Sequence, residues 1–201
     1  MKKSKKKSSQ HRNPFDEFKK WFAVAQTSTI QLPNAMTLAT ATKAGKPSAR
    51  IVFLKEYNRD GFIFYTNYES RKGRELAENP HAALLFYWPG LERQIRITGV
   101  VRKVPRKMSA EYFWSRSRES QLGAWASEQS SVLASREVID ERVEELRKRY
   151  QGKKIPLPPY WGGYVLKPQT FEFWQGGKHR LHDRLCFVFK KGRWAAVRLS
   201  P

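Results

Sequence analysis

The residues Ala49-Arg-Ile-Val-Phe-Leu-Lys-Glu-Tyr-Asn-Arg-Asp-Gly-Phe-Ile-Phe-Tyr-Thr66 contain two strand-like segments separated by a turn. Both segments are rich in β-branched and aromatic side chains, which favour strands. Between them, Asn58-Arg-Asp-Gly61 supplies residue types that tight turns use. This pattern predicts strands at Ala49–Tyr57 and Phe62–Thr66.

The same alternation of strand-like segments and turn residues continues on both sides of this stretch. Gly45-Lys-Pro47 and Pro89-Gly90 provide further turns. The other predicted strands are Met36–Thr42, Ala82–Trp88, Gln94–Val104, Gly163–Leu166, Thr170–Trp174, Arg184–Phe189 and Trp194–Leu199.

Helical patterns are fewer. The pair Asn13-Pro14 is typical of a helix start, because a capping side chain precedes a proline. The apolar stripe that follows consists of Phe15, Phe18, Phe22 and Ala25, and further helices are predicted at Arg71–Glu78, Ser109–Ser115 and Arg136–Tyr150. Many short strands with a few helices predict a mainly β, α+β fold, an antiparallel barrel in one domain spanning residues 14–201.

The composition has one extreme, a formal net charge of +21 over 201 residues. Residues 1–13 are predicted to form a disordered basic tail, because they carry a run of like charges without apolar periodicity. The charge favours anionic ligands, and a nucleic-acid-binding module is the alternative from another class.

The sequence indicates a cytoplasmic protein without a membrane segment. Its single cysteine, Cys186, excludes an internal disulfide framework and suits a reducing compartment. No signal-peptide pattern follows the basic start, and the longest apolar run, Ala82–Trp88, is too short to cross a bilayer.

The segment Phe171–Arg184 has the pattern of a ligand pocket. Arg180, His182 and Arg184 alternate with other residues, so on an extended backbone the three basic side chains would line one face. Gly176-Gly177 allows a sharp turn, and Trp174 offers a flat apolar wall. Together they predict a pocket for a planar, anionic, aromatic molecule.

A second basic segment is Arg50-Ile-Val-Phe-Leu-Lys55. On a regular strand, Arg50 and Lys55 would point to opposite faces, so one flat ligand could reach both only after a twist, a bulge or closure by another subunit. Two charges at the ends of a core strand are the alternative.

Two further groups suit phosphate. Tyr65-Thr66 and Ser70-Arg71-Lys72 place hydroxyls and cations where a strand meets a helix N-terminus. Tyr112, Arg116 and Ser120 are spaced by four, so one continuous helix would bring them to one face, although Ser117–Ser120 does not look strongly helical.

Weaker patterns complete the set. Gln94 shares a strand face with Arg96 and Thr98 and could pair with the edge of a heterocycle, and Gln129-Ser-Ser131 could cap the long helix or touch a ligand. No metal site is predicted, because His179, His182 and Asp183 lie among arginines. Gly-x-Ser-x-Gly, Gly-x-Gly-x-x-Gly and Walker-type loops do not occur in the sequence.

Short motifs in a fixed order span the chain from about residue 14 to its last residue. They are RIVFLK (50–55), FYTNYESRK (64–72), LERQ (91–94), YFWSRSRESQLGAWAS (112–127), QSS (129–131), PLPPYWGG (156–163), FWQGGKHRLHDR (173–184) and RLSP (198–201). In these motifs the chain resembles the pyridoxamine (or pyridoxine) 5′-phosphate oxidase family. The resemblance implies an FMN-binding split β-barrel, a homodimer with the flavin at the subunit interface.

By motif position, the resemblance assigns roles to particular residues. The implied FMN contacts are Arg50, Ile51, Val52, Phe53, Leu54, Lys55, Tyr65, Thr66, Arg71, Lys72, Gln94, Gln129, Ser130, Trp174 and Arg184. The implied substrate-phosphate contacts are Lys55, Tyr112, Arg116 and Ser120. Arg180 and His182 match the pair against the substrate's pyridine ring and are the expected catalytic residues.

The implied reaction is oxidation of pyridoxamine or pyridoxine 5′-phosphate to pyridoxal 5′-phosphate, with dioxygen reduced to hydrogen peroxide. Two positions depart from the family pattern: a Lys/Ser tract replaces an Arg-Arg-x-Tyr element before the first helix, and Ser117 stands where proline is usual. The alternatives within the fold are a flavin-binding relative with another substrate and a non-catalytic pyridoxal phosphate carrier.

Overall fold

The computed structural model of the chain describes residues 13–201. The predicted basic tail lies outside these residues, apart from Asn13. The helices are α1 (Pro14–Thr27), α2 (Arg71–Glu78), α3 (Arg106–Ser115), α4 (Arg118–Ala126) and α5 (Glu137–Arg149). The strands are β1 (Ala35–Ala41), β2 (Pro47–Phe53), β3 (Glu56–Asn58), β4 (Gly61–Asn67), β5 (His81–Trp88), β6 (Arg93–Lys103), β7 (Trp161–Gln175), β8 (Asp183–Lys190) and β9 (Arg193–Leu199).

These strands form a single curled antiparallel sheet, a half-barrel. Its main order is β2-β1-β5-β6-β7-β4-β3, and β8 pairs with both β7 and β9. The long strand β7 pairs with β6 along one edge, while its other edge meets β4 at residues 161–166 and β8 at residues 170–175. The predicted mainly β architecture with added helices is confirmed.

Helix α1 fills the core as its apolar stripe predicts. The side chain of Asn13 accepts a hydrogen bond from the Phe15 N–H at 3.0 Å, which caps the helix start. The Phe18 side chain is fully buried, and its ring centroid lies 4.8 Å from that of Phe62 and 5.3 Å from that of Phe86. Burying one such ring contributes roughly 2–3 kcal/mol, so α1 is a structural part of the barrel.

The predicted strand Ala49–Tyr57 is two strands. β2 ends at Phe53 and β3 starts at Glu56. At the break, the Leu54 N–H donates to Asn34 O and the Lys55 N–H donates to Ile63 O, both at 2.9 Å. The backbone therefore leaves its β1 partner and joins β4, a corner that depends on barrel curvature.

The opposite error occurs in β7, where two predicted strands are one. Pro168 lies between them and cannot donate to a ladder, which favours a break. In the structure the register of β6 shifts between Thr98 and Gly99, opposite Pro168, and this irregularity lets β7 continue. A Cβ at Gly99 would lie 2.1 Å from Lys167 O, so only glycine fits there.

A second, smaller core lies under the helices α3, α4 and α5. Phe113, Leu122, Ile155 and Trp161 are its buried members. Helix α4 was not predicted; its N-cap is Ser117, whose Oγ accepts a hydrogen bond from the Ser120 N–H at 3.3 Å. No helix within residues 13–201 is long and apolar enough to cross a membrane.

Candidate active site

A cavity of about 1030 Å³ lies between β2, β4, the start of α2, and helices α3 and α4. Its lining includes most of the predicted site residues: Arg50, Ile51, Val52, Phe53, Lys55, Tyr65, Thr66, Arg71, Lys72, Tyr112, Arg116, Ser120, Gln129 and Ser130. The side chain of Leu54, also predicted, is 4% exposed and belongs to the barrel core. Gln94, Trp174, Arg180, His182 and Arg184 do not line it.

The cavity is strongly cationic. Its cations are Arg50, Lys55, Arg71, Lys72 and Arg116, and within the described part of the chain its lining contains no carboxylate. Five positive groups around one space repel each other unless an anion enters, so the cavity favours anionic ligands.

The start of α2 forms one end of the cavity. Ser70 caps the helix and is fully buried, and the Arg71 N–H donates to Ser130 Oγ at 3.2 Å. Lys72 Nζ donates to Gln129 Oε1 at 2.7 Å and to Thr66 Oγ1 at 3.2 Å. The loop after α4 is therefore tied to α2.

Burial at this end changes the pKa of Lys72. The pKa of Lys72 falls to about 8, chiefly because burial disfavours its charge and next because Arg50 repels it, while Glu75 acts in the opposite direction. Of the two roles considered for Gln129-Ser-Ser131, capping of α5 is wrong, since α5 begins after Arg136 without a side-chain cap.

A residue that the sequence analysis missed stands directly behind this end. Glu75 is buried, and its Oε1 accepts from Arg71 Nε at 2.9 Å while its Oε2 accepts from Arg50 Nη2 at 3.3 Å. Burial alone would raise its pKa, but hydrogen bonds from Ser48, Thr40, Arg71 and Arg50 outweigh burial and lower the pKa to about 2. Its spacing of four from Arg71 was visible in the sequence, whereas its contact with Arg50 was not.

The break after β2 resolves the question of Arg50 and Lys55. Because Lys55 has left the strand, the alternation of faces no longer applies, and both side chains line the cavity. Lys55 Nζ lies 5.4 Å from the ring centroid of Phe53 and 5.6 Å from that of Tyr112.

An aromatic wall forms the other end. The ring centroids of Tyr65 and Tyr112 are 4.0 Å apart, and those of Tyr65 and Trp161 are 5.5 Å apart, all nearly parallel. Burial is the main cause that raises the pKa of Tyr65 to about 12, so this phenol stays protonated at neutral pH. Trp161, which the sequence analysis did not select, therefore belongs to the site.

Arg116 lies against this wall with an unsatisfied donor. Its guanidinium carbon is 4.9 Å from the Trp161 ring centroid, and its Nη1 is buried without a hydrogen-bond partner in the described residues. Burial also lowers the pKa of Arg116. Tyr112, Arg116 and Ser120 do not lie on one continuous helix, because α3 ends at Ser115 and Arg116 is extended, yet all three line the cavity.

The remaining predicted residues form a second group near the start of β8. Gln94 pairs with Trp174 across β6 and β7, and Trp174 pairs with Arg184 across β7 and β8. The ring centroids of Trp174 and His182 are 4.6 Å apart. His182 Nδ1 accepts a hydrogen bond from the Gly177 N–H at 3.3 Å.

The predicted one-faced ladder of Arg180, His182 and Arg184 is wrong. Lys178–Arg180 is a 3₁₀ turn with φ of 55° at His179 and 64° at Arg180, and β8 begins only at Asp183. The chain folds back because Gly177 permits close approach, as a Cβ there would lie 2.2 Å from Leu181 O.

A second buried carboxylate supports this group. Glu172 Oε1 accepts from Arg184 Nε at 3.0 Å, and its other oxygen accepts from Arg96. Burial alone would raise the pKa of Glu172, but the two guanidiniums lower it. Arg96 thus binds Glu172 across the sheet. The hydroxyl of Thr98 contacts that of Thr170 on the same neighbouring strand.

Comparisons with known proteins agree on one family. Residues 24–150 match the family model described as pyridoxamine 5′-phosphate oxidase, and residues 161–201 match the pyridoxine 5′-phosphate oxidase C-terminal dimerisation region. A pyridoxine/pyridoxamine 5′-phosphate oxidase from Gloeothece citriformis is 53% identical over 94% of this chain and 89% of its own length.

Solved structures show the same fold. PhzG from Burkholderia lata, in complex with tetrahydrophenazine-1-carboxylic acid, has a TM-score of 0.90 and 34% identity, covering 96% of this chain and 95% of its own. A pyridoxamine 5′-phosphate oxidase-related, FMN-binding protein from Nostoc punctiforme has a TM-score of 0.73 at 14% identity, covering 94% of this chain and 99% of its own. The predicted split-barrel fold is confirmed.

Proposed function

The chain belongs to the pyridoxamine 5′-phosphate oxidase family, and from this premise we propose that it oxidises pyridoxamine or pyridoxine 5′-phosphate to pyridoxal 5′-phosphate. The proposed cofactor is FMN. The proposed electron acceptor is dioxygen, which is reduced to hydrogen peroxide. The observation that carries the proposal is one cationic cavity with two separate sets of cations and hydroxyl groups, at α2 and at Arg116. A cofactor and a substrate that each bear a phosphate fit such a cavity.

The α2 end suits the FMN phosphate. A helix N-terminus favours an anion through its dipole, and Arg50, Arg71 and Lys72 add positive charge there. The residues that would hold FMN are Arg50, Ile51, Val52, Phe53, Lys55, Tyr65, Thr66, Arg71, Lys72, Gln129 and Ser130.

The aromatic end suits the substrate phosphate. A buried guanidinium N–H without a partner is costly, and a phosphate oxygen would satisfy Arg116 Nη1. Lys55, Tyr112 and Ser120 supply further donors on the same cavity. A phosphate ester presents three terminal oxygens and a larger charge to these four donor groups, whereas a carboxylate presents two oxygens, which favours a phosphate ester over the carboxylate found with PhzG.

The second group of residues would come from a partner subunit. Trp174, Arg180, His182 and Arg184 lie within the region that matches a dimerisation model, and they do not line their own chain's cavity. Apolar side chains on β8 and β9 are exposed in the single chain, namely Phe189 (44%), Val197 (49%) and Leu199 (38%). A symmetric homodimer would cover this surface and bring each chain's second group, with Gln94, to the other chain's cavity.

Bound FMN would supply the redox chemistry, accepting a hydride equivalent from C4′ of the substrate and reducing dioxygen. The chain's own residues bind and orient. Arg180 would position the substrate ring and stabilise developing negative charge. Since His182 Nδ1 accepts the Gly177 N–H, its neutral ring carries the proton on Nε2, which is the atom that can donate to the substrate.

The test is direct. The purified protein is given FMN, dioxygen and pyridoxine 5′-phosphate, and pyridoxal 5′-phosphate and hydrogen peroxide are measured. The proposal fails if FMN binds but no pyridoxal 5′-phosphate forms. Binding of nucleic acid with a steep salt dependence, and no flavin, would favour the nucleic-acid-binding module instead.

A further inference from the structure

Glu75 is a buried anion directly behind a cationic cavity that it does not line. Its side chain is 5% exposed, so the carboxylate cannot be explained as a solvated surface charge. It lies on α2, one turn after Arg71, and faces β1 and β2.

The contacts of Glu75 fix two arginines that do line the cavity. Glu75 Oε1 accepts a hydrogen bond from Arg71 Nε at 2.9 Å, and within residues 13–201 the two terminal nitrogens of Arg71 make no hydrogen bond. Those nitrogens are therefore available to a ligand, in a fork whose orientation is fixed from behind.

Arg50 is held through a small network. The hydroxyls of Thr40 and Ser48 both donate to Glu75 Oε2, the latter at 2.6 Å, and both accept from the Arg50 guanidinium. Arg50 Nη2 also donates to Glu75 directly at 3.3 Å, and Arg50 Nη1 donates to Leu38 O at 3.3 Å, so both terminal nitrogens are engaged within the protein. One carboxylate thus sets the positions of two guanidiniums that would otherwise repel each other.

We propose that Glu75 is a positioning residue that orients the Arg71 guanidinium toward the phosphate of the cofactor and holds the positive charge of Arg50 beside it; this rests on the proposed FMN function. Glu75 does not touch the ligand. Its effect is to fix the donor fork of Arg71 and the charge of Arg50 before binding, so that the ligand does not have to order them.

The two possible roles of Glu75, as a nearby negative charge and as a positioning residue, predict opposite effects of its neutralisation on FMN binding. If Glu75 acted only as a nearby negative charge, its neutralisation would make the cavity more positive and strengthen the binding of an anion. If Glu75 positions the arginines, its neutralisation weakens binding. The sign of the change therefore separates the two roles.

The test compares Glu75→Gln with Glu78→Gln, which removes the same charge from an exposed position on the same helix. Dissociation constants are measured for FMN and for riboflavin, which lacks the phosphate, by quenching of flavin fluorescence. In E75Q we expect FMN to bind about tenfold more weakly or worse, since charge-assisted hydrogen bonds are lost, with riboflavin unchanged. E78Q should match the wild type for both flavins.

Unchanged or tighter FMN binding by folded E75Q would overturn the proposal, and so would an equal loss for both flavins. If E75Q does not fold, Ser48→Ala removes one bridging hydroxyl and keeps the carboxylate. It should weaken FMN several-fold without affecting riboflavin, and an unchanged FMN constant would count against the proposal. If the wild type does not bind FMN more tightly than riboflavin, the cofactor assignment fails together with this inference. If the wild type prefers FMN and E75Q prefers it equally, only the proposed role of Glu75 fails.

Discussion

Two inactive variants are expected to restore activity when they are combined in one dimer. Arg116→Ala damages the cavity, and Arg180→Ala damages the second group, which does not line that cavity in its own chain. Each variant alone should lose at least about tenfold in kcat/KM, because each removes charge-assisted hydrogen bonds. In a mixed dimer, one site combines both damaged parts, and the other combines both intact parts.

The activity expected of the mixed dimer follows from its one intact site and one damaged site. A purified mixed dimer, isolated with a different affinity tag on each chain, should have about half the activity of the wild-type dimer, since one of its two equivalent sites is intact. Random mixing gives mixed dimers in about half of the population, so the unfractionated sample should reach about a quarter of wild-type activity. Production of pyridoxal 5′-phosphate is the assay.

The control pairs two damaged cavities. Arg116→Ala combined with Lys55→Ala leaves one defect in each site of the mixed dimer, so activity should not rise above that of the separate variants. If Arg116→Ala and Arg180→Ala fail to restore activity in a dimer shown to contain both chains, the site does not combine residues of two subunits and the reasoning is refuted.

Three further results are expected. FMN affinity, measured by fluorescence titration, should fall as the pH rises through about 8, because Lys72 then loses the positive charge that would bind the phosphate. The FMN affinity of Lys72→Met should show no such fall between pH 7 and 9. The pKa of Glu75 is lowered to about 2 in the fold, so its ionised carboxylate stabilises the protein fully above pH 4.5, the pKa of the unfolded state. This contribution, about 3 kcal/mol, is lost as the pH falls toward 2. The free energies of unfolding of wild type and E75Q, measured in urea, should therefore become equal in acid. Phe18→Ala should lower the free energy of unfolding by about 3–5 kcal/mol in urea, because it empties a fully buried position in the barrel core.

Local chemistry made much of the fold predictable. The turn at Asn58-Arg-Asp-Gly61, the cap at Asn13 and the phenylalanine stripe of α1 all depend on residues near each other in sequence. The break at Leu54-Lys55 and the continuity of β7 past Pro168 depend on partners elsewhere in the sheet, namely Asn34, Ile63 and the irregularity at Gly99. No local pattern specifies such partners.

The candidate site divides in the same way. Residues of the cavity were found where a motif places a cation or hydroxyl beside a turn or helix start, as at Ser70-Arg71-Lys72. Glu75 and Trp161 were missed because their importance comes from contacts with distant segments, such as that of Glu75 with Arg50. Alternation misled at Arg180 because the backbone forms a turn there, a conformation that the glycine pair allows.

Two buried carboxylates would order the two halves of the proposed shared site before the subunits assemble. Glu75 holds Arg50 and Arg71 beside the cavity, and Glu172 holds Arg184 and Arg96 near the second group, each within a single chain. Neither carboxylate needs the other subunit to engage its arginines. In the proposed dimer, each half of the site would therefore be set by its own subunit's fold, and dimer formation would bring together two prepared halves. For this reason damage to one half should leave the other half competent, which is the condition that restoration of activity in the mixed dimer requires.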